Sequence, residues 1–121
     1  MGGIDYIEVD FGERTRKLRY GVTDVRDLCQ TLGNITLVAL LGRLAEMDVN
    51  AILHCIRHGL AHEEPRMTLR AAGDLLTGHI RKHGDASKVL TAISDALDAT
   101  GLISLRATST PSGEASGAPA A

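Results

Sequence analysis

Three histidines, His54, His58 and His62, recur at every fourth residue and are followed directly by Glu63. Two imidazoles one helical turn apart can share a metal ion, so this trio is the pattern closest to a catalytic or sensing centre. The remaining requirements are missing. There is no HExxH, a catalytic zinc needs a third ligand and groups that orient it, and Gly59 stands where the helix would end before His62 comes into line. At about 100° per residue His58 falls opposite the apolar stripe of Val49, Ile52, Leu53, Ile56 and Leu60, which puts the trio on a solvated face. Neither a metal nor any other cofactor is expected.

His79 and His83 fall at the edge of another apolar stripe and read as half-buried structural residues, with His83 placed to interact with the negative end of a helix. The basic run Arg14, Arg16, Lys17 and Arg19 could touch phosphate. Asp5, Glu8, Asp10 and Glu13 precede it, however, so the expected arrangement is charge pairing across two strands. Cys29 and Cys55 lie in apolar helical patterns with no CxxC spacing, as reduced core thiols do. No Ser or Cys sits in a nucleophile motif with a His, and neither GxGxxG nor GxxxxGK[ST] occurs among 13 glycines. The expectation is a protein that is not an enzyme.

Composition narrows the class further. With 121 residues, 44% hydrophobic and 23% charged, the chain suits one modest soluble domain. A formal net charge of -2 and only two Tyr, one Phe and no Trp give neither a global pull on phosphate nor stacking platforms, which argues against nucleic acid. The start MGGIDYIEVD lacks a basic region followed by an apolar run, and no stretch approaches a membrane span. A bacterial cytosol, with no export and no membrane partner, is the expected compartment.

The elements that must position these residues follow from periodicity. Ile7, Val9 and Phe11 alternate with Tyr6, Glu8 and Asp10 as in a half-buried strand, Gly12 and Glu13 read as a turn, and 15–20 returns with Leu18 and Tyr20 on one side. Thr23 is the expected cap of a first helix carrying Val25, Leu28, Cys29 and Leu32, which Gly33 ends. Thr36 opens a second with Leu37, Leu40, Leu41, Leu44 and Met47. Asp48 opens a third bearing the stripe from Val49 to Leu60. After the polar break around Pro65, Thr68 opens a fourth with Leu69, Ala72, Leu76 and Ile80, stopped by Gly84. Asp85 or Ser87 opens a fifth with Val89, Ile93, Ala96 and Leu97, and Gly101 closes it. The fold class is therefore mainly α (α+β): an N-terminal β-hairpin over 4–20, about five short amphipathic helices over 23–103, together one domain over 1–105. The Ala-, Ser-, Thr-, Pro- and Gly-rich stretch 106–121 is expected to be disordered.

In order, the hairpin IEVDFGERTRKLRYGV, a helix closing on LCQTLG, the run LVALLGRL, then DVNAILHCIRHGL ahead of the threonine-capped MTLRAAGDLL resemble the small tail family of gene transfer agents and siphophages over roughly residues 4 to 103. The resemblance implies a tail assembly chaperone, which binds the long helical tape measure protein while tail tube subunits polymerise around it. Members of this family are also labelled tail tube proteins, which would make the chain a structural subunit. A tube needs a sheet able to close into a ring, and one hairpin favours the chaperone.

Such a chaperone needs apolar helix faces that its own core leaves partly open. The candidates are Leu37, Leu41 and Leu44 of the second helix and the piece Leu102, Ile103 and Leu105, against the alternative that these simply complete the core. A homo-oligomer is a further arrangement that the sequence leaves open. Two other functions compete: a small nucleic-acid-binding regulator using Arg14 to Arg19 as a wing, and a metal-dependent enzyme or sensor using His54, His58 and His62.

Overall fold

Alternation and capping do set the elements. In the computed structural model, which describes residues 6–103, strands β1 (Tyr6–Asp10) and β2 (Thr15–Arg19) pair antiparallel, Tyr6 opposite Arg19 and Asp10 opposite Thr15. In the four-residue connection between them Gly12 adopts φ 95°, a conformation that disfavours a side chain, and the Asp10 carboxylate accepts from its N–H at 2.8 Å. Five helices follow: α1 (Val22–Thr31), α2 (Leu37–Ala45), α3 (Val49–Gly59), α4 (Leu69–His83) and α5 (Ser87–Asp98).

Thr36, Asp48 and Thr68 cap α2, α3 and α4 as their positions predict. Their side-chain oxygens accept from Ala39, Ala51 and Ala71 N–H at 3.0, 3.2 and 3.0 Å. The first helix begins earlier than Thr23. Gly21 is its N-cap and the Asp24 carboxylate reaches back to the Gly21 N–H at 2.8 Å, so the reciprocal bond rather than a threonine hydroxyl fixes the start. Neither Asp85 nor Ser87 is the N-cap of α5: Ala86 is, without a side-chain cap bond, while Asp85, two residues before the helix, accepts from both the backbone and the hydroxyl of Ser87.

Helix α3 lies at the centre, in contact with α1, α2, α4, α5 and β2, and its Ala51, Ile52, Cys55, Ile56 and Leu60 are buried. Burying an Ile or Leu side chain contributes roughly 1.5–3 kcal/mol, so this one helix supplies much of the drive for collapse. The hairpin lays Val9, Phe11, Leu18 and Tyr20 on the same core, chiefly against α5. Gly59 is the point of closest approach. A Cβ there would stand 2.7 Å from Leu18 Cδ2 and 2.8 Å from the Tyr20 hydroxyl, which donates to the Cys55 carbonyl.

Three apolar positions depart from the sequence reading. Met47 lies beyond the end of α2 with φ 62° and is exposed, because the helix stops at Ala45 and the Asp48 cap starts the next. Val49, the first residue of α3, is exposed too, and so is Ile80, because α4 turns His79 rather than Ile80 onto the core. Gly33 and Gly84 end α1 and α4 at φ 104° and 94°, as expected. The stretch 106–121 and Leu105 lie outside the described residues, as does Asp5.

Candidate functional site

The histidine trio does not converge. His54 and His58 stay one turn apart on α3, rings 6.5 Å between centroids and tilted by 37°. His62, past the helix end, turns to the hairpin and its Nε2–H donates to the Lys17 carbonyl at 2.8 Å. Nor is the face solvated: His54 and His58 are half-buried, and Asp24 and Asp27 of α1 lie near enough to act on His58, because α1 packs against α3 there. A single apolar stripe marks one covered face, whereas α3 is covered on several. Burial, and then the Arg57 guanidinium, hold both imidazoles below the usual histidine range. His54 Nδ1 and His58 Nε2 are buried with no hydrogen-bond partner among the described residues. Among those residues no group of three or more His, Cys, Asp or Glu is arranged to hold a metal ion.

Both cysteines are free; Cys55 is fully buried and its thiol is pushed up to about 12 by that burial, while Cys29 is half-buried and raised for the same reason.

The hairpin is tied to the helices by a polar network. The bond from Phe11 N–H to the Arg14 carbonyl fixes the ladder's parity, so Tyr6, Glu8, Asp10, Thr15, Lys17 and Arg19 turn their peptide groups outward. An imidazole meets each edge. His62 takes the Lys17 carbonyl on the β2 side, and His79 Nδ1–H donates to the Asp10 carbonyl at 2.6 Å on the β1 side. His79 is almost fully buried, edge-on to Phe11 and 4.5 Å from the His83 ring, and its Nε2 has no hydrogen-bond partner among the described residues. The Asp10 carboxylate gathers Lys82 Nζ at 2.7 Å and His83 Nε2 at 3.3 Å; with Lys82 first and the Gly12 N–H next, these bonds hold it down to about 2. Such capping blunts edges that would otherwise accept another strand.

The basic run is likewise divided. The alternation of β2 turns Arg16 inward, 5% exposed, where it pairs with Glu63 at 3.2 Å and with Glu64 in the loop after α3. Arg14 stands 3.9 Å from Glu64, and Lys17 Nζ lies 4.6 Å over the Tyr6 ring. The expected pairing of these cations with Asp5, Glu8, Asp10 and Glu13 gives way for Arg16 and Asp10, whose partners come from the helical part. Long-range carboxylates win because inward-facing Arg16 cannot reach the outer face of its own hairpin.

A contrasting surface lies between α2 and α5. Leu41, Leu44 and Ala45 form one wall and Leu90, Thr91, Ser94 and Asp95 the other of an open groove of about 420 Å³. Leu44 is buried at its floor, and Leu37 and Leu41 are partly buried against the core. Val38, which sequence reasoning did not single out, is the most exposed large apolar side chain of the described residues at 69%. Its signal was present: Val38 lies on the opposite side of α2 from Leu40 and Leu44, in a helix with a single charged residue, Arg43. Leu102 is 47% exposed and Ile103 half-buried.

Comparison with family models, curated proteins and solved structures finds no match to this chain. No helix among the described residues is long and apolar enough to cross a membrane.

Proposed function

We propose that the protein is a tail assembly chaperone of the phage and gene transfer agent type, a non-enzymatic protein that binds a helical segment of the tape measure protein. The observation that carries this reading is the α2–α5 groove, an apolar wall of Leu41, Leu44 and Ala45 facing Leu90 with Val38 standing open beside it. A helix-in-groove partner presents apolar anchors at i, i+3, i+4 and i+7, and a groove between two helices is the shape that accepts them. The sequence order from IEVDFGERTRKLRYGV to MTLRAAGDLL, which resembles that family, supplies the identity of the client.

Two competing readings have less support. The sheet of the described residues has two strands, far from what ring closure by a tail tube subunit requires. A nucleic-acid wing loses Arg16 to the interior, and Lys17 to the Tyr6 ring. The test is co-expression with a tape measure protein. The expected result is a larger soluble fraction of that client and its co-purification with the wild-type chain, both lost in Leu90→Lys. Equal client solubility with and without this protein sinks the reading.

A further inference from the structure

Helix α5 is one wall of the groove and also delivers the chain to its end. The groove side of α5 carries Leu90, Thr91, Ser94 and Asp95, and Asp98, three residues after Asp95 and seven after Thr91, continues that side to the end of the helix. Past Asp98 the chain turns. Thr100 and Gly101 donate to the Leu97 and Asp98 carbonyls as the helix closes, and Gly101 takes φ 81°, a left-handed conformation that leads the backbone out of the helical path. Leu102, 47% exposed, and half-buried Ile103 come next, and the sequence continues with Ser104, Leu105 and Arg106.

The chemistry of these residues complements the groove. Leu102, Ile103 and Leu105 bring three large apolar side chains, and the groove offers Leu41, Leu44 and Leu90. Arg106 is the one cation that follows Lys88, while Asp95 and Asp98 set two carboxylates on the groove side of α5. The last turn of α5 holds no basic residue, and the negative end of a helix dipole favours a cation there. The lengths agree as well. Asp98 to Leu90 is eight residues of helix, about 12 Å, and five extended residues span about 16 Å, so a chain that doubles back after Gly101 brings Leu105 alongside the groove.

We propose that residues 102–106 fold back along their own α5 and occupy the α2–α5 groove, Leu105 against Leu41 and Leu90 and Arg106 beside Asp95 and Asp98. The contact is small, and it need not be large. A segment tethered a few residues from its site meets it at a local concentration of about millimolar, so a contact too weak to hold a separate molecule still fills the groove. The functional consequence rests on the chaperone reading: the segment keeps the client's place and covers the apolar wall until a longer tape measure helix displaces it.

The test is the fluorescence of Leu105→Trp in the full chain. The sequence holds no other Trp, so the signal belongs to this position alone. The expected emission is blue-shifted from that of the same variant in urea and resists iodide quenching several-fold, equally at every protein concentration. Adding Thr91→Arg, which fills the groove from an exposed position, or Arg106→Glu, which turns the segment's charge against Asp95 and Asp98, should move the emission to that of exposed indole with unchanged helical circular dichroism. Asp95→Lys combined with Arg106→Glu should restore the blue shift, which a folding defect would not do. Exposed-indole emission from Leu105→Trp alone, or a blue shift that survives both Thr91→Arg and Arg106→Glu, overturns the proposal. So does a blue shift that grows with protein concentration, which would put a second copy in the groove. Because no client is present, failure here leaves the chaperone reading intact, and failed co-purification with a tape measure protein leaves this measurement untouched.

Discussion

The junction of the hairpin with α4 and the groove between α2 and α5 are built on opposite terms. At the junction, Asp10 alone receives Gly12, Lys82 and His83 on its carboxylate and His79 on its carbonyl, and Arg16 is closed over by Glu63 and Glu64. In the groove the lining is mostly aliphatic, and Val38 stands open beside it. Polar networks of the first kind fix one geometry, because each buried donor or acceptor is costly to leave unpaired. An open apolar wall fixes none and accepts another surface. The difference ties stability to the first region and, on the chaperone proposal, recognition to the second.

The largest effect is expected where the junction tolerates no added atom. In Gly78→Ala the new Cβ would stand 2.9 Å from the Phe11 carbonyl, and in Gly59→Ala it would press on Leu18 and Tyr20. Each substitution should lower the urea unfolding free energy by about 2 kcal/mol, the cost of overpacking less the gain from replacing a helical glycine. Wild-type midpoints in both variants would show that the hairpin is not held by this contact.

Arg16→Met comes next. It keeps the buried stem but strips Glu63 of its cation and leaves Glu64 only Arg14 at 3.9 Å, and since both carboxylates reach solvent the expected loss is about 1–2 kcal/mol, read by the same titration. An Arg16→Met variant more stable than wild type would place the ion pair among networks kept for specificity.

Acid should probe the network without substitution. His54 and His58 bind a proton less readily folded than unfolded, so their contribution is complete above about pH 6.5 and is lost as pH falls below it. Asp10, held down to about 2 in the fold, contributes fully above about pH 4 and loses that contribution as pH falls toward 2. The urea midpoint should therefore decline in two stages. His54→Gln with His58→Gln should flatten the first and Asp10→Asn the second, and a midpoint independent of pH from 7 to 5 in the wild type would contradict the histidine assignment.

The smallest effect on stability belongs to the groove. Val38→Ser should change the unfolding free energy by no more than about 0.5 kcal/mol, as exposed substitutions do, yet reduce co-purification of the tape measure protein. A variant that unfolds early but binds normally would reverse the assignment of the two regions.

Local chemistry was enough for the sequence to determine the elements. Ile7, Val9 and Phe11 mark a strand by alternation, Thr36, Asp48 and Thr68 mark helix starts by bonds three residues long, and Gly33 and Gly84 mark stops by a φ that other residues avoid. These signals act within one turn, so they survive without knowledge of the fold. What faces what was left to the tertiary structure. Asp10 meets His79 across 69 positions and Lys17 meets His62 across 45, separations at which no periodicity carries information. The solvated face expected for His54 and His58 is half-covered, with α1 beside His58, Met47 fell outside α2, and α4 turned His79 rather than Ile80 onto the core. Burial is a property of what packs on a helix, and only the assembled chain supplies that. The same reason makes the α2 wall recognisable: its leucines are plain in the sequence, but that Val38 is left open beside Leu41 is decided by where α5 lies.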